Sequence, residues 1–538
     1  MPIFKANRYP SRYSVLIAAC LAVLSAYGMR ALAERYDHRR RCAILSVSLF
    51  IFLVETAAVP LPLSSYQVPA VYETLAQKTT TAVLEVPMAW RNGFRVTGPL
   101  DTTFMFAQFY QTVHRKRLLN GNTSRNPEFL FQYFTEAPLL NSLLALETGK
   151  SLPEGRERFD AQNGLDVLQL LGVRQIIVHR STTPRPGVTP EATIPYLEQV
   201  LPLTKWYDDG RIGAWEVALP PPPRAVRFDA LHPLARLHFG DGWGPLPPFE
   251  LERQLQPDQA PTVWAQRRTA RLFVALDAGR VRLRFRACSP VPQQMHVAVN
   301  GKPPVSVALR PGWHEYALVL EGFQPGPNTL RLSFERLVSV TDRSFISTCV
   351  GARPGGVVSV VVESAGLEVG DLAHIYVNGR DVAPNLMGYN VAVLDPATGE
   401  VIRTAVFDPV NEPTDASALA QFIREVPENA LVAVAANDTV DLPPQFGGPK
   451  LTAEAVEALR LLGSQADLRG TFRWSHALLS TQGSSQHSTL EDVSPVRPAR
   501  VWLGELLTAP RVAAGFAWFE LIVEPYHSFD SRAADAVE

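Results

Sequence analysis

The sequence predicts a multidomain chain: two N-terminal transmembrane helices, then an α/β domain, a jelly-roll β-sandwich and a C-terminal α/β domain. Three observations predict it. Two long apolar runs, Tyr13–Ala33 and Cys42–Leu63, flank a basic stretch of Arg35, His38, Arg39, Arg40 and Arg41. Strand and helix patterns alternate over residues 64–222 and again over 351–538, the signature of layered α/β folds. Between them, residues 225–350 carry only short alternating strands with turn signals, which reads as a sandwich.

Residues 1–63 come first. Each apolar run approaches the ~20 residues that cross a bilayer, and the basic loop marks the cytoplasmic side. The loop, counted with Arg30, outnumbers the basic residues before the first run, Lys5, Arg8 and Arg12. The expectation is a helical hairpin with residues 64–538 extracytoplasmic. Two alternatives stand beside it: a cleaved signal peptide ending near Ala31-Leu32-Ala33, and a buried hairpin. Glu55 lies in the second run, where a carboxylate is costly unless protein shields it.

Composition excludes some functions. The chain has 538 residues, 46% of them hydrophobic, and a net charge of −1, so it carries no overall electrostatic footprint for nucleic acid. No CxxC or HExxH pattern occurs, which speaks against a structural zinc or zincin site. No GxSxG elbow or Walker loop is present. No catalytic residue, metal site or cofactor is expected. Cys288 and Cys349 are a candidate disulfide; their spacing leaves the pairing open.

In residues 64–222, Thr81–Val86 and Arg174–Val178 read as buried strands, and Gly164–Gly172 reads as a helix ended by glycine. Tyr207–Gly210 is a turn before the strand Ile212–Val217, and Leu219–Pro223 is a stiff linker. In residues 225–350, Asn300-Gly301 is a strong hairpin signal. Trp243, Trp264 and Trp313 suit either a sugar face or the core, and core packing is the commoner use of large aromatics. In residues 351–538, Val357–Val362, Asn390–Leu394, Glu400–Phe407 and Ala430–Ala435 read as strands. The turn Asp395–Gly399 joins two of them. Thr414 or Asp415 caps a helix whose apolar face is Leu419, Phe422, Ile423 and Val426, and Thr452–Leu462 is a second helix ended by Gly463.

The string Gly388–Gly399 with Phe407-Asp408, Phe422-Ile423, Val426-Pro427, Asp438, Leu461–Ser464 and Phe472-Arg473 resembles the interleukin-like EMT inducer family, also called PANDER-like. The likeness covers about a quarter of the chain, with an insertion near Leu442–Pro449. It implies a compact α/β domain of the kind found in secreted proteins. The same domain forms the stem of a protein O-mannose N-acetylglucosaminyltransferase, where it binds sugar. The family's sugar-binding Asp and Arg fall on Asp438 and Arg473, whereas a further family Arg falls on Met387, a departure that puts an identical ligand in doubt. A carboxylate and a guanidinium in one cleft can accept from and donate to sugar hydroxyls. The alternative is an Asp438–Arg473 salt bridge that orders two loops.

The front of the chain, through Arg8–Tyr13, Leu21–Gly28, Tyr110–His114, Leu119–Gly121 and Arg125, resembles the C-terminal end of bacterial multi-span glycosyltransferases of the GT-C type. That resemblance implies a bacterial inner-membrane location, a polyprenyl-phosphate sugar donor, and catalytic helices absent from this chain. His114, Arg115 and Arg117, beside Lys116, are then possible phosphate contacts for a lipid-linked sugar; a solvated basic loop is the alternative. The reading is a membrane-anchored, non-catalytic carbohydrate-binding module whose partners are a glycan or lipid-linked sugar, the membrane, and a multi-span glycosyltransferase subunit. Its rivals are the accessory half of an active glycosyltransferase and an interaction module without a ligand.

Overall fold

The structure, a computed structural model, describes residues 14–56, 67–92, 95–99, 103–123, 135–180, 189–248, 260–351, 357–483 and 489–524. The chain divides into two units, Met1–Val68 and Pro69–Glu538.

The first unit overturns the expected membrane hairpin. It does hold two helices, α1 (Ser14–Ala33) and α2 (His38–Thr56), but among the described residues no helix is long and apolar enough to cross a membrane. Charge is the physical reason. Arg30 sits in the last turn of α1, so its uncharged stretch ends at Met29, short of the ~20 residues a span needs. The helix α2 spends its first turn on His38, Arg39, Arg40 and Arg41 and meets Glu55 near its end. Residues 57–63, which completed the second expected span, lie outside the described residues. The expected bacterial inner-membrane location, with an extracytoplasmic C-terminal region, needed that hairpin as its anchor and is not supported.

The second unit begins with an α/β layer. Its sheet uses β1 (Ala82–Val86), β2 (Arg117–Leu118), β3 (Val173–His179), β4 (Leu203–Asp208) and β5 (Ile212–Val217), in the order β2-β1-β3-β5-β4. The first three are parallel, and β5 and β4 add an antiparallel hairpin. Every residue of β1 is buried, as suits a parallel strand covered on both faces. The helices α3 (Ala70–Gln77), α4 (Thr103–His114), α5 (Leu140–Glu147), α6 (Arg156–Leu171) and α7 (Thr193–Val200) accompany it. The helix expected at Gly164 starts earlier, at Arg156. Gly164 lies inside it, where its missing side chain lets Leu139 and Leu201 approach. Gly172 closes the helix in the left-handed conformation.

A two-sheet antiparallel sandwich follows. Its elements are β6 (Ala225–Phe228), β7 (Val263–Ala265), β8 (Thr269–Leu276), β9 (Gly279–Ser289), β10 (Gln293–Val299), β11 (Val305–Leu309), β12 (Gly312–Phe323) and β13 (Gly326–Phe334). One sheet runs β8-β13-β10-β11. The other runs β7, then a strand from the far end of the chain (Ala514–Val523), then β9 and β12. The sandwich is therefore closed by residues well beyond position 350. Its core packs Phe228, Phe285, Phe516 and Phe519 among aliphatic residues. Trp264 is buried edge-on to Phe345, and Trp243 packs edge-on to Phe239 and Phe516, so both serve the core. Cys288 and Cys349 form a disulfide.

The third layer holds β14 (Ser359–Gly366), β15 (Leu372–Val377), β16 (Arg380–Asp381), β17 (Gly388–Leu394), β18 (Val401–Phe407), β19 (Leu431–Asp438), β20 (Ser475–Thr481), β21 (Leu490–Ser494) and β22 (Ala499–Gly504). The closing sandwich strand is β23 (Ala514–Val523). The main path is β16-β15-β14-β19-β17-β18, with β22 on β14 and β20 bridging β19 to β21. Two helices, α8 (Asp415–Arg424) and α9 (Ala453–Leu461), bury Leu419, Ile423, Val456 and Leu459 with the sheet residues Val391 and Val434. Thr452 caps α9 by accepting from the Ala455 amide.

Candidate functional site

The site lies where β14 and β19 end side by side. These strands pair in parallel only over their last residues, and Gly366 stands opposite Asp438. Asp438 leaves its strand at φ +58° and Arg473 sits at φ +59°, both in the left-handed region. Such conformations cost energy for residues with side chains and occur preferentially at binding sites. The Arg473 amide donates to Thr439 Oγ1 at 3.3 Å, and buried Asp441 accepts from the Leu451 and Gly470 amides at 3.0 and 2.6 Å. These bonds tie the segment after β19 to the loop before β20.

Gly366 is required by this packing, because an added Cβ would strike the Arg473 carbonyl oxygen. Gly366→Ala is therefore expected to displace the Arg473 segment and to cost about 1–3 kcal/mol, read as a fall in the denaturation midpoint.

The geometry separates two relationships of Arg473. Its Nη1 donates to Glu368 Oε1 at 2.5 Å. Its Nε is buried without a hydrogen-bond partner and faces Asp438 Oδ1 across 4.0 Å. That separation exceeds a hydrogen bond, so a donor and an acceptor stand apart across the gap. Asp438 is 25% exposed and Arg473 21% at the side chain, so solvent reaches both. The guanidinium lies over the Phe472 ring at 4.5 Å, and Phe472 packs against Phe446 with centroids 5.1 Å apart and the rings tilted by 43°.

Acidic groups outnumber cations here. Burial and the nearby carboxylate of Asp371 push Asp438 up to about 6, with Glu368 and Asp408 adding to the rise and Arg473 opposing it. Lys150, from the α/β layer, reaches Glu368 Oε2 at 3.4 Å, and the Gly98 amide donates to the Glu368 carbonyl at 2.8 Å. Met387 stands at the rim, its sulfur 3.3 Å from Asn411 Nδ2, which also donates to Asp408. Among the described residues, no group of three or more His, Cys, Asp or Glu is arranged to hold a metal ion.

Sequence reasoning singled out Asp438 and Arg473 and missed Glu368, Asp371, Asp408 and Lys150. A single charge between Leu367 and Val369, just after a buried strand, was the available signal for Glu368. Nothing local in the sequence marks Lys150.

The expected phosphate contacts do not converge. His114 is buried against Tyr72, with ring centroids 5.6 Å apart, and its Nδ1 accepts from the Lys116 amide at 3.1 Å. Burial pushes His114 below its ordinary value. Arg115 is exposed at φ +58°. Arg117 lies on the edge strand β2 and lines a different cleft.

The polar cluster thus belongs to a small α/β domain with two helices against one sheet face. Residues 387–484 of that domain match the family described as interleukin-like EMT inducer. A human protein, cell migration-inducing and hyaluronan-binding protein, is 31% identical over 105 residues, which is 20% of this chain. The chain spans 7% of that relative's length. Among solved structures, the CBM35 of Cellvibrio japonicus Abf62 is 19% identical and aligns over 14% of this chain and 62% of that one, with a TM-score of 0.13. The Arthrobacter globiformis T6 isomalto-dextranase complexed with panose is 10% identical over 40% of this chain and 48% of that one, with a TM-score of 0.18. Both structural likenesses are too slight to identify a ligand.

Proposed function

We propose that this chain is a carbohydrate-binding module and that Asp438 and Arg473 hold the sugar. One observation carries the reading: the Arg473 guanidinium and the Asp438 carboxylate, both partly exposed at the side chain, stand 4.0 Å apart, beyond a direct hydrogen bond. A sugar hydroxyl can accept from the guanidinium and donate to the carboxylate at once. The exposed Phe446 and the adjoining Phe472 offer apolar surface to a ring. The matching family and a relative named as hyaluronan-binding are in keeping with a glycan ligand. The surplus of carboxylates around Asp438 disfavours an anionic chain and favours a neutral one.

The pH dependence tests this role. A charged acceptor makes the stronger hydrogen bond, so affinity for a neutral oligosaccharide should rise as the pH rises through about 6. Stability without ligand should run the other way. Because the folded state raises the Asp438 value above 3.8, its contribution is fully present below the ordinary value and fades as pH rises through about 6. Asp438→Asn should abolish both trends. Calorimetric titration between pH 5 and 8 reads the first, and thermal melting reads the second. An affinity that is flat with pH in the native chain would contradict the assignment of Asp438. If Arg473 instead serves only to bind Glu368 and order the loops, Arg473→Ala would lower the melting temperature while leaving glycan affinity unchanged.

A further inference from the structure

A cavity of about 460 Å³ lies between the α/β layer and the sandwich, remote in sequence from Asp438 and Arg473. One wall is apolar and comes from both sides: Leu118 and Leu171 from the α/β layer, Phe273 and Pro327 from the sandwich. Its volume falls within the range of small-molecule sites, which combine apolar walls with a few convergent polar groups.

Two cations lining it stand out by their lack of partners. Arg117, on the edge strand β2, and Arg271, on β8, make no side-chain ion pair or hydrogen bond among the described residues. Other charges on the same wall are already matched: Arg236 binds Glu136, and Asp241 binds Arg267 at 3.1 Å. Arg271 also stands directly opposite Arg331 on β13, and like charges facing each other across a ladder are unfavourable. An anion beside Arg271 would relieve that repulsion. Phe273 is two residues along β8 and so shares the Arg271 face of the strand.

We propose that this cleft binds a small amphiphilic anion. Its phosphate or similar head sits on Arg117 and Arg271, and its short alkyl body lies along Leu171, Phe273 and Pro327. The inference does not depend on the sugar site, since the two share no residue.

Titration calorimetry on the full chain tests it, using octyl phosphate below its micelle concentration, ethyl phosphate, inorganic phosphate and octyl glucoside. Octyl phosphate should bind at least ~10-fold more tightly than the other three, since charge and apolar area each contribute about a factor of ten or more. Arg117→Gln and Arg271→Gln should each weaken octyl phosphate about tenfold without lowering the melting temperature, because both side chains are exposed. Equal affinity for octyl phosphate and octyl glucoside, or unchanged octyl phosphate affinity in both variants, would overturn the proposal. So would co-sedimentation with phosphatidic acid vesicles without binding of monomeric octyl phosphate, since the arginines would then read a lipid surface.

Discussion

Glu136→Ala should lower the unfolding free energy by about 3–5 kcal/mol, the cost of breaking a buried ion pair from one side. Glu136 is buried between two guanidiniums. Arg236 Nε donates to its Oε2 at 2.6 Å, and Arg500 Nη2 donates to its Oε1 at 2.9 Å. Arg500 in turn donates from Nε to Glu363 Oε1 at 2.6 Å and from Nη1 to the Leu246 carbonyl. This one network joins the segment before α5, the sandwich and β14 of the third layer. Removing Glu136 takes the carboxylate from half-buried Arg236 and leaves buried Arg500 with Glu363 alone.

The same network fixes a pH dependence. Burial alone would push Glu136 up, but Arg236 and then Arg500 outweigh it and hold the carboxylate below its ordinary value. Its contribution is therefore present above the ordinary value of 4.5 and is lost as pH falls through the lower folded one. In the Glu136→Ala chain the denaturation midpoint should change less between pH 7 and pH 3 than in the native chain. Arg500→Lys should also destabilise, because an ammonium cannot reach three acceptors held in a planar fork. A loss below about 1 kcal/mol in Glu136→Ala would mean that solvent reaches the network.

Deleting residues 514–538 should unfold the sandwich. The strand β23 lies between β7 and β9 and also pairs with β6. It buries Phe516, Phe519, Leu521 and Val523 in the sandwich core. Each large side chain contributes about 1.5–3 kcal/mol on burial, so the four together rival the ~5–15 kcal/mol that holds a domain folded. The deletion also leaves the edges of β7 and β9 unpaired. Near-ultraviolet circular dichroism should lose the signal of Trp264 and its neighbours, and proteolysis should cut within residues 260–334. Phe519→Ala is the milder form, expected to cost about 3–5 kcal/mol. A truncated chain with an intact sandwich signal would show that β23 is dispensable.

Local chemistry was legible in the sequence where it decided local structure. Asn300-Gly301 forms its turn with both residues at positive φ, +48° and +78°, as a two-residue hairpin requires. The spacing of Leu419, Phe422, Ile423 and Val426 found α8 and its buried face. Gly463 ends α9 at φ +85°. Long-range chemistry was not legible. The strand β23 reads locally like any apolar run, and nothing near it says that it pairs with β9, more than two hundred residues earlier. Glu368 and Lys150 meet only because two layers pack together. The N-terminal runs show the opposite failure: apolar length suggested spans, but Arg30, the basic first turn of α2 and Glu55 interrupt the apolar helix. At the proposed sugar site, resemblance supplied Asp438 and Arg473, and the fold added the carboxylates that surround Asp438.

The most direct measurement is binding of the full chain to an array of neutral and acidic glycans, repeated with Arg473→Ala and Asp438→Asn. The account predicts saturable binding to a neutral glycan, weakened at least tenfold in both variants while their melting curves stay cooperative. Binding that survives both substitutions, or no binding to any glycan at neutral pH, would contradict it.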